Sequence, residues 1–206
     1  MKIDHLERSK HINGRVLVFL EDGTLLKVTE QELLDFGLRG GDELDGETLE
    51  RLKNAAGTSD TKAKAAALIG RRAMSRRDLE KKLTEKGASQ AEARYAAEWL
   101  EAIGALDDGE YAALLVRHCA QLGYGPGRYR SELYKHEVDR ELWEDAMAAA
   151  PDPAELIEQY LRDRFRKGTP DERERKRAAD ALARRGFGWG DVKEGLARWA
   201  ALEEED

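Results

Sequence analysis

Between residues 65 and 108 apolar positions recur at helical spacing in three short runs, separated by small and polar residues. The runs predict helices over residues 65–73, 76–86 and 90–103. Leu79 and Leu83, four apart, share one face of the middle helix, and Ala96, Ala97, Leu100 and Ile103 give the third a matching stripe. Ser75 and Ser89 stand where an N-cap hydroxyl accepts a first-turn N–H, and Gly87 stands where a positive φ ends the middle helix. Three helices this short bury little by themselves, so the stretch is expected to be one copy of a repeat.

The same pattern returns twice. LTEKGAS at Leu83 is matched by LYKHEVD at Leu133 and LARRGFG at Leu182, 50 and 49 residues apart. Each leucine has a basic residue three positions on (Lys86, His136, Arg185) and an apolar or small one five on (Ala88, Val138, Phe187). A preceding helix is predicted for each later copy, over residues 110–122 and 153–167, and Asp139 is placed as a cap in the second. The carboxylates of residues 203–206 lie at the negative end of the last helix, so the tail is expected to fray.

Ahead of the repeats the period changes to two. Arg15–Leu20 (RVLVFL) and residues 24–28 (TLLKV) read as strands around an Asp22-Gly23 hairpin turn of type I′, whose two central residues take positive φ. A further strand from the first residues, or helix packing, is needed to support a lone hairpin. Thr29 and Glu32 form a T-x-x-E capping box for a short helix closed by Gly37. A Gly40-Gly41 turn, a helix over residues 47–56 and a GTSD linker at residues 57–60 complete the segment. The fold class is mainly α: three tandem three-helix, helix-turn-helix-like repeats in an elongated curved array after a small N-terminal β-hairpin module. The expected divisions are residues 1–60, 61–108, 109–151 and 152–206.

Composition narrows the function. The 206 residues are 41% apolar and 37% charged, with a net charge of −7, which argues against an indiscriminate nucleic-acid coat. The imbalance is local: residues 1–60 hold 8 Lys and Arg against 13 Asp and Glu, the rest 27 against 29. One cysteine, Cys119, leaves no intrachain disulfide to form and suits a reducing cytoplasm. The opening MKIDHLERSKH is polar, unlike a signal peptide, and no apolar run approaches the ~20 residues of a spanning helix.

At this point the residues resemble a known family, the RecX regulators of the RecA recombinase. The matching segments are ALIGRRAMSRRDLEKKLTEKG, LEAIGALDDGEYAALLVRHCAQLGYGPGRYRSELYKHEV and KRAADALARRGFGWGDVKEGL. One departure is Glu137, where the pattern has glycine (Gly87, Gly186); it predicts a less sharply ended helix there. The resemblance implies a cytoplasmic protein that binds RecA filaments on single-stranded DNA, with possible contact to the DNA inside; a monomer is expected. It implies damping of strand exchange and ATP hydrolysis, no cofactor and no chemistry of its own. Two rivals stand beside it: a DNA-binding protein using helix-turn-helix-like units, and an interaction scaffold with an unrelated partner.

Candidate chemistry is sparse. Gly123-Tyr124-Gly125-Pro126-Gly127 lacks the preceding strand and G-x-G-x-x-G spacing of a dinucleotide site, so it reads as a connector with Pro126 near a helix start. His118 and Cys119 are adjacent and diverge by ~100° on a helix. His5, His11 and His136 share no ligand spacing, so no metal is expected. Tyr129, Trp143 and Trp199 read as core residues, with Trp189 after Gly188 the exception. No nucleophile, acid/base pair or phosphate loop points to an enzyme.

The partner candidates are basic. Arg71, Arg72, Arg76, Arg77, Lys81, Lys82 and Lys86 outnumber Asp78, Glu80 and Glu85, and Arg173, Arg175, Lys176, Arg177, Arg184 and Arg185 outnumber Glu174 and Asp180. Arg128 and Arg130 extend the set into the second copy. Charge alone is equally met by solvated helix faces with intrahelical pairs such as Asp78 with Lys82; the resemblance favours binding.

Overall fold

The computed structural model describes residues 1–166 and 169–205. It comprises two units, Met1–Leu106 and Asp107–Asp206.

The first unit begins with β1 (Ile3–Arg8), β2 (Arg15–Leu20) and β3 (Leu25–Thr29), an antiparallel sheet in the order β1-β2-β3. The supporting strand is thus supplied by the first residues. Alternation along β2 sends Val16, Val18 and Leu20 into the core beside Ile3 and Val28. The turn differs from the predicted type I′. Gly23 takes a φ of 84°, Asp22 does not enter the left-handed region, and the Gly23 N–H donates to Leu20 O at 3.0 Å. Glu21, Asp22 and Gly23 therefore form a three-residue loop, a turn followed by one left-handed residue.

Thr29 and Glu32 make the reciprocal capping box of α1 (Glu30–Asp35), and Gly37 follows with a φ of 60°. Next comes α2 (Gly46–Ile69), a single 24-residue helix. It absorbs the helix predicted over residues 47–56, the GTSD linker and the start of the first repeat, so the linker at residues 57–60 is corrected to helix. The predicted helix over residues 65–73 correspondingly stops at Ile69.

Packing on two cores overrides the turn-forming composition. Leu49, Leu52 and Ala56 pack into the sheet's core, while Ala65 belongs to the first helical core. Between them Ser59 is tied down. Arg15, only 7% exposed, donates from Nη1 to Lys27 O (3.2 Å) and Ser59 Oγ (2.6 Å). Ser59 Oγ donates to Glu32 Oε2 (3.2 Å), which also accepts the Thr29 N–H (2.7 Å). This chain locks sheet, α1 and α2 together. Replacing Arg15 by leucine is expected to cost about 1.5–3 kcal/mol, the value of hydrogen bonds to a charged group, read by urea unfolding.

The first repeat continues with α3 (Arg76–Glu85) and α4 (Gln90–Ala102), capped by Ser75 and Ser89 as the sequence indicates. The second unit holds α5 (Asp108–Gln121), α6 (Pro126–Lys135), a 3-10 turn (Arg140–Leu142) running into α7 (Trp143–Ala148), α8 (Pro153–Arg164), α9 (Glu172–Arg184) and α10 (Trp189–Glu205). Asp139 precedes the 3-10 turn without capping it through its side chain. The end of the predicted helix 153–167 lies outside the described residues at Lys167. The tail predicted to fray is helical to Glu205, and Asp206 is again outside. Leu83, Leu133 and Leu182 are each 0% exposed, in three separate cores.

The middle helices end alike. Ala88, Val138 and Phe187 donate their N–H to Leu83, Leu133 and Leu182 O at 3.0, 3.1 and 3.2 Å. Gly87, Glu137 and Gly186 donate to Thr84, Tyr134 and Ala183 O at 3.0 Å each. These are the two bonds of a Schellman cap. Glu137 adopts a φ of 55°, so the predicted loss of a sharp helix end is corrected: the paired bonds hold a non-glycine residue in the left-handed region.

Gly186 does more than turn. The Gly125 N–H donates to Arg185 O and the Gly127 N–H to Gly186 O, both at 2.9 Å. GYGPG is thus a connector, with Pro126 opening α6, and also the seat for the third repeat's turn. A Cβ on Gly186 would lie 2.5 Å from the Arg128 nitrogen, whereas one on Gly87 would meet nothing within 4 Å. Gly87→Ala is therefore expected to cost about 1 kcal/mol of backbone strain. Gly186→Ala should cost about 2–4 kcal/mol because main chain must also move; equal midpoints in urea would contradict this.

Candidate functional site

The fifteen basic candidates separate by what surrounds them. On α3, Arg76 is caged by three carboxylates: Glu80 at 2.8 Å, Glu101 at 2.8 Å and Glu98 at 3.3 Å. The Glu80 hydrogen bond and the charges of Glu101 and Glu80 push its pKa above the ordinary arginine value. Lys82 bonds Asp78, as expected of that pair, and Arg72 approaches the same carboxylate at 3.3 Å. Arg77 and Lys81 are exposed, and each is engaged by another group. Arg71 and Lys86 are exposed at the two ends of the segment. Much of this charge is thus internally compensated.

In the second repeat, Arg128 pairs with Glu132 at 2.8 Å and lies over the Tyr124 ring at 5.4 Å. Arg130 is exposed. Arg185 belongs to the fold: Nη1 donates to Gly123 O at 3.3 Å, and the guanidinium sits 4.9 Å from the Tyr160 ring.

The remaining five lie on α9. Ala178, Ala179 and Leu182 bury one side of this helix. Successive residues are about 100° apart, which places Lys176, Arg177 and Arg184 within about 60° of Arg173, on the opposite side. Arg175 is exposed from the other flank of the first turns. Asp180 falls within the stripe, while Glu174 closes a capping box with Asp171. Among the described residues, none of Arg173, Arg175, Lys176, Arg177 and Arg184 is ion-paired. The arrangement is a net-cationic face, with Arg173, Lys176, Arg177 and Arg184 against Asp180 and with Arg175 outside it, on one helix, suited to a phosphate or carboxylate surface.

Of the aromatic candidates, Tyr129 is 2% exposed, Trp143 and Trp199 are half-buried, and Trp189 is 65% exposed, as the sequence indicates. Tyr134, unremarked in the sequence, is 69% exposed on α6. Lys62 lies over both Tyr95 and Trp99, at 4.5 and 5.2 Å; no local pattern signals a contact closed across α2 and α4. Cys119 is buried, which pushes its thiol pKa up, and it packs in the second repeat's core. Among the described residues no group of three or more His, Cys, Asp or Glu is placed to hold a metal, and no helix is long and apolar enough to cross a membrane.

Comparison with known proteins agrees with this architecture. A family profile described as RecX, second three-helix domain, matches residues 107–147. The chain is 39% identical over 132 residues to the regulatory protein RecX of Xanthomonas axonopodis pv. citri (strain 306), covering 63% of this chain and 82% of that one. It is 39% identical over 136 residues to the regulatory protein RecX of Stenotrophomonas maltophilia (strain R551-3), covering 63% and 81%. A crystal structure of regulatory protein RecX superposes with a TM-score of 0.69 at 25% identity, covering 93% of this chain and 97% of the other. The fold is also that of RecX from Lactobacillus salivarius, with a TM-score of 0.61 at 18% identity over 69% and 96% of the chains. Identity of this extent, over most of each relative's length and with the same three-helix units, means that the chain belongs to the RecX family of regulatory proteins.

Proposed function

We propose that this protein binds RecA filaments assembled on single-stranded DNA and lowers their strand exchange and ATP hydrolysis, without catalysing a reaction itself. Family membership supplies the regulatory role, and the observation that carries the binding mode is the exposed, net-cationic face of α9. An acidic chain with one localised basic face suits a mixed-charge protein polymer better than bare phosphate, because the face attracts while the remainder discourages indiscriminate DNA binding. In repeat proteins, successive units can each contact a long partner surface.

Titration into preformed RecA filaments and into naked single-stranded DNA at physiological salt tests the reading. Tighter binding to filaments is expected, with ATP hydrolysis falling in parallel. Preference for naked DNA would favour the helix-turn-helix DNA-binding reading instead.

A further inference from the structure

Between the C-terminal end of α5 and the face of α8 lies a groove of about 520 Å³, within the size range of ligand pockets. It is apart from the α9 stripe and is not used by the proposed filament contact. Its apolar part is formed by Leu122, Leu156 and Tyr160. Leu122 is 53% exposed at the α5 C-cap, a position whose backbone makes no demand for leucine. Gln121 and Gln159, both exposed, line the groove with side-chain amides that donate and accept, as a peptide backbone requires.

Charge then selects the occupant. Two guanidiniums and one carboxylate, Arg164, Arg185 and Asp163, line the groove. Arg185 is held by the Gly123 carbonyl and the Tyr160 ring, so it is oriented in advance while most of its five N–H donors remain for a ligand. Arg164, the last residue of α8, is exposed and, among the described residues, not ion-paired. A nucleic-acid strand fits less well, because Arg185 already covers the Tyr160 ring on which a base would stack.

We propose that this groove docks a short segment of a partner protein in which an aliphatic or aromatic side chain stands next to a carboxylate. The apolar group enters between Leu122, Leu156 and Tyr160, the carboxylate meets Arg164 and Arg185, and the amides take the segment's backbone.

The full chain is titrated into four fluorescein-labelled octapeptides in a Gly-Ser frame, each carrying Leu or Phe one or two positions before Glu. At least one is expected to saturate, and its Glu→Gln version to bind at least about 10-fold more weakly. Leu122→Ser and Arg164→Glu, both at exposed positions, should each weaken binding about 10-fold with unchanged thermal melts. Exchanging the peptide's Glu for Lys should restore binding to Arg164→Glu. Gln159→Ala serves as an independent variant should either of the others unfold. Absence of saturation with all four peptides, saturation indifferent to the substitutions, or displacement by an oligothymidylate would each overturn the proposal. Loss of RecA binding would leave it untouched, since no arm of this experiment contains filaments.

Discussion

Truncating Leu83, Leu133 or Leu182 to alanine is expected to cost about 2–5 kcal/mol each, the range for a buried leucine whose cavity only partly collapses. All three are fully buried, but in three different clusters. Leu83 packs with Met74, Leu79 and Leu100, Leu133 with Tyr111, Val116 and Tyr129, and Leu182 with Ile157, Leu161 and Val192. Leu156 touches both of the latter two clusters. Stability in such an array is approximately a sum of unit terms and nearest-neighbour terms. Hydrogen exchange should therefore show Leu83→Ala loosening α3 and α4 first, and Leu182→Ala loosening α9 and α10 first. Leu133→Ala should loosen α5 to α7 and, through Leu156, α8. An identical loss of protection along the whole chain from all three variants would mean a single cooperative core, contrary to this partition.

Most features closed within three or four residues were legible in the sequence, the exceptions being the hairpin turn type, the Asp139 cap and the helix end at Glu137, and features closed by distant residues were not. The Thr29–Glu32 box, the Ser89 cap, the Pro126 start of α6 and the leucine positions of the middle helices all depend on local spacing. Gly57, Thr58, Ser59 and Asp60 read as a linker because each favours turns; packing of α2 on two cores, with a hydrogen bond from Arg15, 44 residues away from Ser59, holds them in helix. Glu137 looked like a weakened cap because glycine is cheapest there, yet the capping bonds fix the backbone whichever residue occupies it. The basic clusters could be counted but not sorted. Arg76 is neutralised from α4, 22 and 25 residues on, and Arg185 is held by Gly123, 62 residues back. Only the folded chain separates these from the exposed α9 set.

Converting Arg173 and Arg177 together to glutamate is expected to weaken binding to RecA filaments by about 100-fold or more. The double change shifts the face by four charge units, and each close pair across a wet interface is worth roughly 1 kcal/mol, so attraction is lost and repulsion added. Arg173→Ala alone should cost about 10-fold or less. These positions are cleaner probes than Arg77 and Lys81, whose existing interactions within the protein would be lost at the same time. The fold should not suffer, because both arginines are exposed and a carboxylate at position 173, in the first turn of α9, suits the positive end of that helix. The difference from wild type should shrink as salt rises, since exposed charges are screened over about 10 Å at 0.1 M ionic strength. A contact made through buried apolar groups would keep its full difference in high salt. If the double variant melts like wild type and lowers ATP hydrolysis at the same concentration, the α9 face is only a solvated surface and the filament contact lies elsewhere on the chain.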